Sequence, residues 1–246
     1  MSFPVFDILA SRADLGGDRI AFEDLLDGDQ VSYLELHQRT GKTTALLTAI
    51  GVTKGDRVAL LCRNRIEFFE LLFACARLGA ILVPLNWRMP GQELAPLLED
   101  CGAQWLVYGA EDAGVTGDIP DNHLQRINLD DSSESGYPSR RNALQAQAGR
   151  EQWPADDTWY LLYTSGTTGK PKAVIQTYGM ALANYINIAQ AMGLHADDTS
   201  LNYLPLFHTG GINLTTLPAL IMGSRTVIMP GFDLDRTVEM LEAGRL

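Results

Sequence analysis

Residues 51 to 86 read GVTKGDRVALLCRNRIEFFELLFACARLGAILVPLN, and this stretch decides the fold class. Lys54-Gly55-Asp56 is a turn signal. Val58 to Cys62 is a short continuous apolar run, the kind of strand that a parallel sheet buries on both faces. Asn64 stands where it can cap the helix that follows, which carries Phe68, Leu71, Leu72, Cys75 and Leu78. Gly79 stops that helix, and Ile81 to Leu85 is the next apolar run. Upstream, Leu36, Thr40, Thr43, Thr44 and Leu47 recur at helical spacing as far as Ile50, with Gly51 at the C-terminal glycine position. Downstream, Glu93 to Cys101 reads as a helix and Trp105 to Tyr108 as a strand. The alternation predicts an α/β fold of doubly wound, mostly parallel sheets flanked by helices.

The pattern changes between residues 111 and 157, where Gly114, Gly117, Pro120, Gly136, Pro138 and Pro154 stand among many Asp, Ser and Asn. This reads as an irregular surface excursion with one short helix near Ala143 to Ala148, separating an α/β subdomain at 1–110 from a second at 158–246. In the second, Trp159 to Tyr163, Ala173 to Ile175, Leu201 to Leu204 and Thr226 to Met229 read as strands. Thr177 can cap a helix carrying Ala181, Tyr185, Ile188 and Met192; Asn213 to Met222 reads as helical despite Pro218; and Leu234, Val238 and Leu241 mark a last helix, with Gly244 at its end. In a parallel sheet a further strand is expected after Arg245-Leu246.

The chain has 246 residues, 46% hydrophobic and 20% charged, with a formal net charge of −11. That balance suits a globular protein and argues against a nucleic-acid partner, which needs a basic stripe. The cysteines Cys62, Cys75 and Cys101 are odd in number and form no C-x-x-C, so they read as reduced core residues of a cytoplasmic protein rather than a disulfide framework or zinc site. The N-terminus lacks the basic and apolar regions of a signal peptide, and Leu71 to Leu85 is too short and too charged at its edges to span a membrane. Arg57 reads as a surface ion-pair residue.

The chemistry concentrates in Tyr163-Thr164-Ser165-Gly166-Thr167-Thr168-Gly169-Lys170-Pro171-Lys172. Glycines let backbone N–H groups close on a ligand, successive N–H groups make an anion nest, hydroxyls reach phosphate or magnesium, and lysine adds a mobile charge. The G-x-x-x-x-G-K-[ST] phosphate loop is excluded, because Thr164 stands five before Gly169 and Pro171 follows the lysine. No G-x-G-x-x-G follows a strand, so a dehydrogenase reading fails as well.

This loop closely resembles the phosphate-loop signature of the acyl-adenylate-forming family, which includes acyl-CoA synthetases, luciferases and nonribosomal adenylation domains. Residues 163–172 match it throughout; Ala173 departs from it, standing where the family usually has glycine. Tyr203-Leu204-Pro205-Leu206-Phe207-His208-Thr209-Gly210-Gly211 is similar to the family's Pro-x-Phe-His block, and Gly51 to Asn86 to its N-terminal subdomain. The resemblance implies ATP, Mg2+ and coenzyme A as cofactor and co-substrates, and a small carboxylic acid (fatty, aryl or alicyclic) as substrate. It implies that Thr164, Ser165, Gly166, Thr167, Thr168, Gly169 and Lys172 hold the ATP phosphates, with Lys170 a weaker candidate, and that the Thr164 hydroxyl helps bind Mg2+. It places His208 in the channel between acyl pocket and nucleotide, with Gly210 and Gly211 leaving space beside it; simple turn chemistry explains the two glycines equally well.

The implied reaction is ATP-dependent formation of acyl-AMP followed by transfer to CoA. The family's later motifs are a Tyr-Gly-x-Thr-Glu segment, a ribose-binding Asp, a hinge and a lysine in a mobile C-terminal domain, and none is found after Phe232. The expectation is therefore an incomplete N-terminal domain without that mobile domain, and little or no ligase activity from this chain alone. The alternatives are an adenylation domain loading a carrier protein, and a non-catalytic half-length protein that binds nucleotide or an interaction partner. Self-association as a homo-oligomer is compatible with each.

Overall fold

The computed structural model describes residues 3–26, 28–120, 123–164 and 171–246. In chain order the elements are β1 (Pro4–Phe6), α1 (Ile8–Gly16), β2 (Ile20–Asp24), β3 (Gln30–Ser32), α2 (Tyr33–Ala49), β4 (Arg57–Leu61), α3 (Ile66–Leu78), β5 (Ile81–Pro84), α4 (Gly91–Cys101) and β6 (Trp105–Tyr108). Then follow α5 (Ala113–Gly117), β7 (Gln125–Asn128), α6 (Tyr137–Ala143), β8 (Gln152–Pro154), β9 (Thr158–Thr164), β10 (Lys172–Thr177), α7 (Tyr178–Met192) and β11 (Thr199–Asn202). A π-helical segment (Gly210–Thr216) leads directly into α8 (Leu217–Met222), and β12 (Arg225–Ile228) and α9 (Leu234–Glu242) complete the order.

Among the described residues, a six-stranded sheet runs β10-β9-β5-β4-β6-β7 and a four-stranded sheet runs β11-β12-β2-β3. The first is parallel except for the β9–β10 hairpin, and the second is parallel except for β2–β3. The small pair β1–β8 stands apart. Doubly wound, mostly parallel α/β architecture is thus what the sequence reading led one to expect. The stretch 111–157 is more regular than expected: β7 lies parallel to β6 and widens the main sheet. Its helix is Tyr137–Ala143, ending where the short helix was expected to begin. Tyr137 is buried in the core at its start, and the chain turns extended at Leu144, ending it.

The period-two alternation of β4 divides the interior. Val58 and Leu60 face a large core, while Ala59 and Leu61 face a smaller one under Leu94, Leu97 and Leu98 of α4. Helix α3 is apolar nearly all round and correspondingly buried, eleven of its thirteen residues being shielded. It touches both sheets: Phe69 meets Phe22 of β2 at 4.9 Å, and Phe73 meets Trp159 of β9 at 5.5 Å. The Trp159 indole N–H donates to the Leu72 carbonyl at 2.9 Å.

Two charges on α3 are buried and matched. Arg77 donates to Asp7 Oδ2 at 2.8 Å, tying in the start of α1, and its guanidinium also meets His37 Nδ1 at 2.8 Å. Burial and that guanidinium hold the His37 pKa below its usual value. Glu70 pairs with Arg141 of α6 at 2.7 Å and lies 3.4 Å from the Tyr137 hydroxyl. Burial raises the Glu70 carboxyl above the usual range, against the pull of Arg141.

Three local expectations need correcting. Asn64 is not a helix cap; α3 starts after Arg65 with no side-chain cap, because the Asn64 amide is engaged elsewhere. Arg57 makes no surface ion pair among the described residues: its guanidinium donates to the carbonyls of Cys101, Gly102 and Gly55, closing the end of α4. The helix expected over Asn213 to Met222 is present but in two parts, a π-helical segment followed directly by α8, with Pro218 at the start of the second. Elsewhere the signals hold: Thr177 Oγ1 accepts from Met180 N at 3.2 Å, and Gly79 terminates α3 with a φ of 74°; Gly102, which the sequence reading did not single out, ends α4 in the same way at 63°.

Replacing Arg141 by Ala strands a fully buried carboxylate, so Arg141→Ala is expected to cost about 3–5 kcal/mol at neutral pH in urea unfolding. The loss should shrink as pH falls and Glu70, whose folded pKa is already raised, takes up a proton.

Candidate functional site

Parallel α/β sheets leave a crevice beyond the carboxyl ends of their strands, and ligands settle there. Such a cavity, about 610 Å3, lies beyond the ends of β5 and β9. Pro84, Leu85 and Asn86 form one wall and Glu93 and Leu97 of α4 another. Tyr163, Thr164 and Pro171, on either side of the glycine-rich loop, form a third, and Phe207 and His208 close it. Its volume exceeds that of the neighbouring crevice at Arg63 and Arg65, about 500 Å3, whose arginines are occupied in ion pairs with Asp112, Glu67 and Asp130.

Thr164 is the last residue of β9, in register with Lys172, the first residue of β10. The hairpin thus holds the two ends of the loop side by side, with Thr164 on the cavity wall. Ser165, Gly166, Thr167, Thr168, Gly169 and Lys170 lie outside the described residues. Tyr163 is anchored by donation from its hydroxyl to Asp100 Oδ2 at 2.6 Å; burial and the neighbouring carboxylate push its pKa up.

His208 is exposed at the cavity edge, in a turn where its N–H donates to the Pro205 carbonyl at 3.1 Å and its carbonyl accepts from Gly211 N at 3.1 Å. Thr164 and His208 therefore share one cavity although they belong to segments built on different sheets. Gly210 and Gly211 begin the π-helical segment behind His208 and are not on the cavity wall. A Cβ on Gly211 would stand 2.3 Å from the Pro205 carbonyl oxygen, so the backbone of its own loop occupies that space. A π-helical turn is a frequent accompaniment of functional sites, and here it directly follows the histidine.

Sequence reasoning passed over Asn86, Glu93 and Phe207, and over the stack behind Phe207. Trp87 meets the Phe207 ring edge-on at 6.0 Å, and the Arg63 and Arg88 guanidinium carbons lie 3.5 and 4.7 Å from the Trp87 ring centroid. Cation–π attraction of this kind stabilises the aromatic wall by roughly 0.5–2 kcal/mol per contact. Alternating aromatic and basic residues at Trp87-Arg88 were the available signal. Arg63 also pairs with Asp112 at 3.6 Å; Asp112 is 1% exposed and its Oδ2 has no hydrogen-bond partner.

Burial pushes the Asp112 carboxyl up to about 6, against the pull of Arg63. Because the folded value lies above the unfolded one, ionising Asp112 opposes folding, and the contribution of this group to stability should fall as pH rises from about 4 to about 6. Asp112→Asn should remove that slope when unfolding is followed across the same range, leaving the rest of the pH dependence in place.

Comparison with known proteins agrees with this geometry. The family model described as AMP-binding enzyme matches residues 9–245. An indoleacetate–CoA ligase of Aromatoleum aromaticum is 37% identical over 224 residues, covering 88% of this chain and 43% of that protein. A feruloyl-CoA synthase of Amycolatopsis is 33% identical over 221 residues, covering 89% and 43%. Among solved structures, the inhibitor-bound N-terminal domain of FACL13 from Mycobacterium tuberculosis superposes over 100% of this chain and 62% of that one, with a TM-score of 0.90 at 28% identity. The Bacillus subtilis o-succinylbenzoate CoA synthetase with its acyl-adenylate intermediate gives 0.85 at 29% identity, covering 98% and 60%. The chain spans less than half the length of the curated relatives it matches. With the family model covering nearly all of it, the chain belongs to the AMP-binding enzymes.

Proposed function

We propose that the chain is part of an ATP-dependent acid–CoA ligase, contributing the phosphate loop and one side of the channel along which acid and thiol reach the nucleotide. The observation that carries this reading is the single cavity walled by Thr164 and His208. The reaction it serves has two steps. A carboxylate oxygen attacks the ATP α-phosphate, forming acyl-AMP and releasing pyrophosphate. The CoA thiol, giving up its proton, then attacks the acyl carbon and releases AMP. Charge builds on the phosphates in the first step, so the task of the protein is to orient them and stabilise that charge.

In this reading the hydroxyls of Thr164, Ser165, Thr167 and Thr168, the backbone N–H groups at Gly166 and Gly169, and the Lys172 ammonium hold the β- and γ-phosphates. His208, backed by Phe207, lines the channel, and Gly210 and Gly211 give its loop the close backbone approach it needs. The Thr164 hydroxyl and the Glu93 carboxylate line the same cavity and are oxygen donors of the type Mg2+ takes; an ion bound there with the phosphates would supply charge neutralisation. The relatives are CoA ligases by name, which favours CoA over a carrier protein as acceptor. Their acids are a first panel: ferulate, indoleacetate, 2-succinylbenzoate and a long-chain fatty acid. Three unpaired cysteines, with burial pushing the Cys75 thiol up to about 12, support placement in the cytoplasm, and no helix among the described residues is long and apolar enough to cross a membrane.

A second reading is a nucleotide-binding protein without catalysis, because an anion-nest loop of this composition would hold phosphates whether or not a reaction follows. One experiment separates the two: ATP binding with Mg2+, and pyrophosphate release with each acid of the panel. Acid-dependent release establishes the ligase reading; binding without release establishes the second; absence of both overturns them together. Thr164→Val should weaken ATP binding by about tenfold or more, the loss of a hydrogen bond to a charged group.

A further inference from the structure

Two buried asparagines bracket the His208 loop. Asn64, just after β4, is 3% exposed, and Asn202, the last residue of β11, is 1% exposed. Asn64 Nδ2 donates toward the Leu204 carbonyl at 2.9 Å, the Met229 carbonyl at 3.1 Å and Asn202 Oδ1 at 3.2 Å. Its Oδ1 accepts from Leu206 N at 3.0 Å. Asn202 Nδ2 in turn donates to the Gly211 carbonyl at 3.1 Å and to Thr216 Oγ1. The linked pair thus grips the backbone before His208, at Leu204 and Leu206, and after it, at Gly211, with the Thr216 hydroxyl as a further anchor. It also joins the end of a strand in one sheet to the ends of two strands in the other.

Only a carboxamide fits this place. Three oxygens face Asn64 Nδ2, which has two hydrogens to share among them, and one N–H faces its Oδ1. The opposite amide orientation would set oxygen against oxygen and N–H against N–H. A carboxylate would keep the Leu206 contact and repel the other three partners. An apolar side chain would leave buried backbone groups unmatched.

We infer that Asn64 and Asn202 are positioning residues that set where His208 stands across the cavity from Thr164. The amide pair fixes the backbone on both sides of the histidine, and through β4 and β11 it fixes the loop relative to the sheet that carries Thr164. The inference rests on reading the His208 cavity as the ligase site, and its test has one readout that does not.

The test uses the full chain labelled with 15N-histidine. The imidazole signals of the four histidines are followed across about pH 5 to 8, and His208 is assigned with His208→Gln. In parallel, affinity is measured for a non-reactive acyl-adenylate mimic in which a sulfamoyl group replaces the phosphate. Asn64→Asp is compared with Leu9→Ala, a core truncation in α1 that touches neither asparagine's hydrogen bonds. The expected result is displaced His208 imidazole signals in Asn64→Asp, unchanged signals from His123 and His195, and an affinity about tenfold weaker, while Leu9→Ala loses stability and changes neither readout. If the wild type ignores the mimic yet Asn64→Asp displaces the His208 signals, the ligase reading fails and the positioning role stands. If Asn64→Asp loses stability but leaves the His208 signals where they were, the positioning role is overturned. Should Asn64→Asp not fold, Asn202→Ser, which keeps a hydroxyl at the second amide, is judged by the same two readouts.

Discussion

The rest of the structure depends on the burial of α3 between its two sheets. A helix that is apolar nearly all round needs partners on every side, and here Phe22 of β2 and Trp159 of β9 take opposite flanks. Burying a side chain of this size contributes roughly 1.5–3 kcal/mol, and α3 places Phe68, Phe69, Leu71, Leu72 and Phe73 inside almost without exposure. The cost is that Glu70 and Arg77 are buried with them. Each is matched by a residue from a peripheral element, Arg141 or Asp7, so the charges that the helix cannot avoid serve to attach α6 and the start of α1.

The same arrangement explains why the cavity lies where it does. Parallel strands end together, and the crevice beyond β5 and β9 is open because α4 packs beneath it and not across it. Thr164 comes to this crevice on a hairpin and His208 on the loop after β11. Rigid sheets bring them into one cavity, and a small polar connection at Asn64 sets how the sheets meet.

The sequence displayed the local parts of this fold well. The apolar runs at Val58 and Ile81, the all-apolar helix between them and the glycine at 79 are governed by neighbours a few residues away, so periodicity and turn chemistry suffice to read them. Asn64 was misread for the opposite reason. A polar residue just before a helix has the look of a cap, and its true partners are at positions 202, 204, 206 and 229, which nothing local announces. Strand β7 was hidden because it is partly exposed and carries Gln125 and Arg126, without the apolar run of its neighbours. At the candidate site, Thr164 and His208 were picked out by family resemblance and not by geometry. Asn86, Glu93 and Trp87 lack any motif and became visible only once the cavity had walls.

The four-stranded sheet carries a consequence of its own. Its centre pairs Phe22 with Thr226 and Glu23 with Val227, so its first strand must wait for a neighbour that lies far downstream in the sequence. A chain emerging from the ribosome can close the local β4-α3-β5 unit early, but one flank of α3 stays uncovered until β12 arrives. Loop closure over such a separation is slow, and the interval exposes Phe69 and its neighbours to other chains. Synthesis rate and chaperone supply, more than the final stability of the sheet, should therefore govern how much of this protein reaches its native state.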